Sequence, residues 1–81
     1  MHEVGLMASV LDRVLARAAE EECTRVHRVV LEIGSRLTVE PEALRFCFGA
    51  MARGTAAEGA ALELTPVAGG GRMVIRAIEV E

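Results

Sequence analysis

A histidine directly follows the first methionine, and Met1 and His2 together carry three nitrogens that can close on one divalent cation. These are the α-amine of Met1, the backbone nitrogen of His2 and the imidazole Nδ1 of His2. The resulting five- and six-membered chelate rings are nearly unstrained. An in-plane nitrogen set suits Ni(II) or Cu(II), which favour tetragonal geometry, over Zn(II), which favours a tetrahedron. The alternative reading is an exposed terminal side chain with no ligand, because chain ends are commonly poorly ordered.

The other residues able to do chemistry have simpler readings beside the functional ones. Glu40 and Glu42 precede or open a helix, where negative charge is favoured by the helix dipole. Glu20-Glu21-Glu22 opposes that dipole at a helix end and reads as a fraying, solvated turn; adjacent helical residues do not point the same way, which weakens it as a cation site. His27 falls near a strand start, on the face of Val29, as an end-of-core or exposed side chain. Cys23 and Cys47 are isolated and form no CxxC pair. Cys47 reads as a small core hydrophobe, and Cys23 lies in a polar turn. Ser9 and Ser35 have no recognisable histidine partner, so no nucleophile–base set points to an enzyme.

Composition narrows the classes further. Eighty-one residues allow one domain. The 52% apolar fraction overstates the core, since much of it is alanine and Phe46 and Phe48 are the only aromatics. All nine basic residues are arginine, which removes lysine Schiff-base chemistry. A net charge of −3 with no basic patch interleaved with aromatics argues against nucleic-acid binding. No apolar run is long enough to cross a bilayer, and no signal-peptide pattern opens the chain. With two lone cysteines, the expectation is a cytoplasmic protein with reduced thiols.

Five elements must position these residues. Val4, Met7, Val10, Leu11, Val14, Leu15 and Ala18 recur at helical spacing and predict an amphipathic helix from Val4 to about Ala19. Arg25 to Ile33 predicts a strand, with Val29, Leu31 and Ile33 on one face and Gly34 ending it. Pro41 opens a second helix whose buried stripe is Leu44, Cys47, Phe48 and Met51, and Gly54 stops it. Ala61 to Val67 predicts a strand with Leu62 and Leu64 on one face and Pro66 marking a strand end or edge. Met73 to Val80 predicts a third strand, with Val74, Ile78 and Val80 against Arg76 and Glu79. The short connector Ala68-Gly69-Gly70-Gly71 predicts that the last two strands form an antiparallel hairpin. It is not a phosphate loop, because neither the Lys-Ser/Thr nor the helix of one follows. The fold class is therefore α/β (α+β), two helices on one face of a three-stranded mixed sheet in the order α-β-α-β-β.

Several segments in collinear order resemble the HypA/HybF family. They are Met1-His2-Glu3-Val4, Arg25 to Gly34 (RVHRVVLEIG), Val39 to Phe46 (VEPEALRF), Ala52-Arg53-Gly54-Thr55, Ala57-Glu58-Gly59-Ala60 and Ile78-Glu79-Val80-Glu81. The resemblance covers nearly the whole chain. It implies a nickel metallochaperone for [NiFe]-hydrogenase maturation, and in some bacteria for urease. It implies a Ni(II) site at Met1 and His2, with Glu3 matching the third residue and Glu40 standing where an acidic residue near the second helix approaches the metal in some members. The HypB GTPase and the hydrogenase large subunit are the partners it implies. Family members carry a zinc domain with two CxxC pairs between the last two strands. Here the Ala68–Gly71 connector stands in its place, as if by excision or natural loss, so residues 1–81 read as a single nickel-binding domain without structural zinc.

Two functions compete on this reading. One is nickel binding at the N-terminus and delivery by ligand exchange. The other is an interaction module that docks maturation partners, or self-associates as a homodimer or domain-swapped pair, without transferring nickel.

Overall fold

A computed structural model describes residues 3–81, and Met1 and His2 lie outside the described residues. In chain order the elements are α1 (Glu3–Glu20), β1 (Val26–Gly34), α2 (Pro41–Ala52), β2 (Ala61–Val67) and β3 (Met73–Val80). The expected order, two helices and a three-stranded mixed sheet, is what forms.

Each helix has a sequence-level cause. The three- and four-residue spacing in α1 buries Met7, Val10, Leu11, Val14 and Ala18, while Val4 is left exposed. The acidic run at the end of α1 forms an exposed turn, and that turn is closed by backbone hydrogen bonds. Cys23 N–H donates to the Ala18 carbonyl at 2.9 Å and Glu22 N–H to the Ala19 carbonyl at 3.1 Å. That is the Schellman pattern of helix termination, with Glu22 in the left-handed region (φ 56°) normally given to glycine. The partly buried Cys23 packs against the core from the position just beyond. In α2, Glu40 is the N-cap, Pro41 fills the first turn, and Gly54 beyond the C-cap has φ 78°. Leu44, Phe48 and Ala52 are buried; Cys47 and Met51 are half-buried beside them.

The strand order is β2-β1-β3. β1 pairs β2 in parallel, from Arg28↔Ala61 to Gly34↔Val67, and pairs β3 antiparallel. This corrects the expected hairpin: β2 and β3 are not neighbours but flank β1 on opposite sides. The connector crosses over the end of β1 instead of turning tightly between adjacent strands. Backbone hydrogen bonds hold that crossing: Gly34 N–H to Arg72 O, Ser35 N–H to Val67 O and Arg36 N–H to Gly70 O, all within 2.8–2.9 Å. Pro66 lies, as expected, on an edge strand.

Two bulges revise the strand faces. Val26 pairs with Val80 and Arg28 with Glu79, so His27 is the extra residue of β1. Val26 and Val29 are thereby buried, and His27 turns outward rather than onto the Val29 face. Further along, Val30 pairs with Ala77 and Leu31 with Ile75, so Arg76 is extra in β3. Met73, Ile75, Ile78 and Val80 consequently pack toward the core, while Val74 is 39% exposed, the reverse of the face assigned to it by simple alternation.

Both helices cover one face of the sheet, over a core in which Val29, Leu31, Leu44 and Val14 are fully buried. Arg45 Nη1 donates to the Leu62 carbonyl at 2.5 Å, tying α2 to β2. Beyond the core, cross-strand ion pairs link the strands. Arg28 reaches Glu63 on β2 at 2.6 Å and Glu79 on β3 at 2.7 Å, and Arg76 meets Glu32 at 2.7 Å. The Arg28 guanidinium holds the Glu79 carboxyl below the usual range, and hydrogen bonding to His27 does the same for Glu81.

The crossing makes one glycine irreplaceable. A Cβ on Gly34 would lie 2.3 Å from the Gly70 carbonyl carbon and oxygen, backbone atoms that cannot rotate away. Gly34→Ala is expected to cost on the order of 1–3 kcal/mol, the range for overpacking. Gly71→Ala, where a Cβ meets nothing within 4 Å, is expected to stay within about 0.5 kcal/mol. Urea midpoints of the two variants check this; equal midpoints would refute the close approach.

Candidate metal centre

α1 leads through a short turn into β1, and a short loop carries β1 into α2. The N-termini of both helices therefore lie at the end of the sheet where β1 finishes. An apolar groove lined by Gly34, Leu37, Val39, Pro41 and Pro66 joins the end of β1 to the start of α2.

The structure brings together two of the four candidate site residues. Glu3 opens α1 and Glu40 caps α2. The Glu40 backbone N–H donates to Glu3 Oε2 at 3.1 Å, across 37 positions of sequence. Glu3 is thus both a first-turn acid of its own helix and an acceptor at the N-terminus of the other, where unpaired amides and the helix dipole favour negative charge. Glu40 is exposed, its backbone is extended (φ −100°, ψ 116°), and its side chain makes no capping hydrogen bond. Its carbonyl begins the helical ladder by accepting from Leu44 N–H at 3.0 Å. The carboxylate thus makes no capping hydrogen bond to its own helix, although its charge still lies at the positive end of the helix dipole.

Met1 and His2, the nitrogen donors, lie outside the described residues. Among the described residues no cluster of three or more His, Cys, Asp or Glu side chains is placed to hold a metal ion. Cys23 and Cys47 are free thiols, both half-buried. The Cys23 thiol donates to the Glu21 carbonyl at 3.6 Å. His27 pairs with Glu81 on the strand side of the molecule.

Sequence reasoning named Glu3 and Glu40 separately and missed the bond between them. No local signal encodes it, because it forms only when the two helix starts meet. Chemically, the arrangement offers two acidic residues, Glu3, which accepts from a backbone amide and directly follows Met1–His2 in sequence, and the exposed Glu40.

The family model described as "Hydrogenase/urease nickel incorporation, metallochaperone, hypA" matches residues 1–73. The hydrogenase maturation factor HypA of Dechloromonas aromatica is 51% identical over 71 residues, 88% of this chain and 63% of that protein. That of Chlorobium limicola is 48% identical over 68 residues, 84% of this chain and 59% of the relative. The chain thus spans about three fifths of the length of the curated relatives it matches. The solution structure of the Ni metallochaperone HypA from Helicobacter pylori superposes with a TM-score of 0.86 at 15% identity, covering 99% of this chain and 97% of that one. At that identity the likeness is one of fold.

Proposed function

This chain belongs to the HypA family of nickel-incorporation metallochaperones, and we propose that it binds Ni(II) at its N-terminus and delivers it for [NiFe]-hydrogenase maturation. The ion is cargo. The Met1 α-amine, the His2 amide nitrogen and the His2 imidazole would supply the nitrogens, and Glu40 would add an oxygen. The apposition of Glu3 and Glu40 carries the reading, since it brings the backbone of Glu40, an exposed residue with no capping hydrogen bond, against the start of α1. Glu3 acts chiefly as the strut that fixes the place. Glu40 is the better donor because its side chain does not cap its helix. The Ala68–Gly71 connector spans β2 to β3 directly and the chain has no CxxC pair, which supports a single nickel-binding domain without structural zinc.

A cargo site must release as well as bind. A terminal chelate suits this, because a chain end opens at low free-energy cost. Ligand exchange would then pass the ion to a partner, for which the HypB GTPase and the hydrogenase large subunit are the proposed recipients. Recipients of this kind would be met in the cytoplasm, the location proposed for the chain; no helix of the described residues is long and apolar enough to cross a membrane.

Glu40→Ala is expected to weaken Ni(II) binding about tenfold, at the low end of the 10–100-fold range for site residues, because a single carboxylate oxygen closes no chelate ring with the terminal nitrogens, and without lowering the urea midpoint. Isothermal titration and the visible nickel spectrum measure it. An unchanged affinity and spectrum would reduce Glu40 to a helix-start residue. Delivery itself is tested by mixing the Ni(II)-loaded chain with the nickel-free hydrogenase large-subunit precursor. Nickel should appear in the precursor faster than from an equal amount of a small-molecule nickel chelate, and equal rates would overturn the chaperone reading.

A further inference from the structure

We propose that the open edge of β3, together with the arginine-rimmed groove between β3 and α1, binds an extended acidic peptide segment as an added strand.

β3 is an edge strand, so alternate residues along it present backbone N–H and C=O groups that no strand of the sheet takes up. Unlike β2, the other edge, it contains no proline. Between this edge and α1 runs a groove of about 860 Å³. Its floor is apolar, with Leu6 and Val10 from α1 facing Ile75, Ile78 and Val80 from β3. Those β3 side chains are only half-buried, whereas Val29 and Leu31 in the adjacent β1 are fully buried. A strand laid along the edge would complete their burial.

Charge decides the occupant. Arg13, Arg17, Arg72 and Arg76 all line the groove, on a chain whose net charge is −3. Glu21 is the only acidic lining residue among those described, and Arg17 holds it at 2.5 Å. Arg76 is engaged by Glu32. Among the described residues, neither Arg13 nor Arg72 has a carboxylate partner. By contrast, Arg28, the arginine of the central strand, is satisfied by two glutamates. Positive charge left uncompensated beside an open strand edge selects a segment carrying Asp or Glu among apolar residues. Main-chain pairing supplies the attachment and the arginines supply the choice. A second copy of this chain is a poorer fit, because edge-to-edge pairing of two β3 strands would bring the arginine rims together.

The test uses the 81-residue chain and short end-blocked peptides followed by backbone-amide NMR. A peptide alternating valine and glutamate should bind saturably, with shifts concentrated in residues 73–80. Its lysine counterpart should bind at least tenfold more weakly, and a version N-methylated at alternate amides should lose binding. Combining Arg13→Ala with Arg72→Ala should weaken the glutamate peptide at least tenfold while leaving the urea midpoint unchanged. Four results would each overturn the proposal. They are equal affinity for the glutamate and lysine peptides, tolerance of N-methylation, shifts centred on β2 or α2, and a single-stranded oligonucleotide binding as tightly as the peptide. Self-association that excludes the peptide would identify a second copy as the occupant and overturn it too.

Discussion

Acetylating the Met1 α-amine and replacing His2→Ala are each expected to weaken Ni(II) binding about a hundredfold or more. Changes in groups that only support a metal ligand already cost 10–100-fold, so loss of a chelating nitrogen, which also opens a ring, should cost at least the upper end of that range. The two changes should be nearly equivalent, because in the proposed site the amine and imidazole would be the outer arms of one fused chelate around the His2 amide nitrogen. Removing either arm leaves a single ring. Blocking is the sharper probe than lengthening, since one extra residue would interpose a second amide and build a different chelate. Affinity should also fall with acid. The imidazole, with a reference pKa near about 6.5, and the α-amine, near about 7.7–8.0, must both lose their protons to bind. Titration calorimetry of the native, acetylated and His2→Ala proteins between pH 6 and 8 measures all three effects. Undiminished binding in the acetylated protein would sink the chelate.

Leu31→Ala is expected to leave the chain largely unfolded at 25 °C. Leu31 is fully buried in the central strand, between Leu64 of β2 and Ile75 of β3. Truncating such a leucine costs about 2–5 kcal/mol. A core of this size leaves a net stability of only about 3–5 kcal/mol, so the loss is comparable to the whole. Amide dispersion and far-ultraviolet circular dichroism would report it, and a cooperative urea transition within 1 kcal/mol of the native protein would contradict it. Nickel adds a second readout. A ligand stabilises a fold only by binding it better than the unfolded chain. The Met1–His2 nitrogens are adjacent in sequence and stay together on unfolding, whereas Glu40, distant in sequence, could join them only in the folded chain. Saturating nickel should therefore restore structure to Leu31→Ala only to the extent that Glu40 takes part.

How far the fold could be read depended on the range of the determinant. The helical spacing from Met7 to Ala18 and the Pro41 start are local, and both helices form where that pattern lies. The strand faces were legible only between bulges. Strict alternation put His27 inside and Val74 with Ile78. One extra residue in each strand, His27 and Arg76, inverts those assignments, and no residue type marks either bulge. The glycine-rich connector reads as a hairpin because short flexible loops usually join neighbouring strands. What the sequence did not display is that β1 already occupies the place between β2 and β3. At the candidate metal centre, Glu3 and Glu40 were each visible as helix-start acids. Their hydrogen bond depends on two helices meeting.

The crossing over Gly34 also defines an attachment geometry. β2 and β3 meet the connector on either side of β1, at the same end of the sheet as the Glu3–Glu40 contact. Any longer segment carried between these strands in a relative leaves from one flank and returns to the other. Its two roots would stand roughly 9–10 Å apart, two strand spacings. A segment rooted twice cannot swivel as one on a single flexible tether can. It would be held with a restricted orientation at the end of the sheet where Glu3 and Glu40 meet.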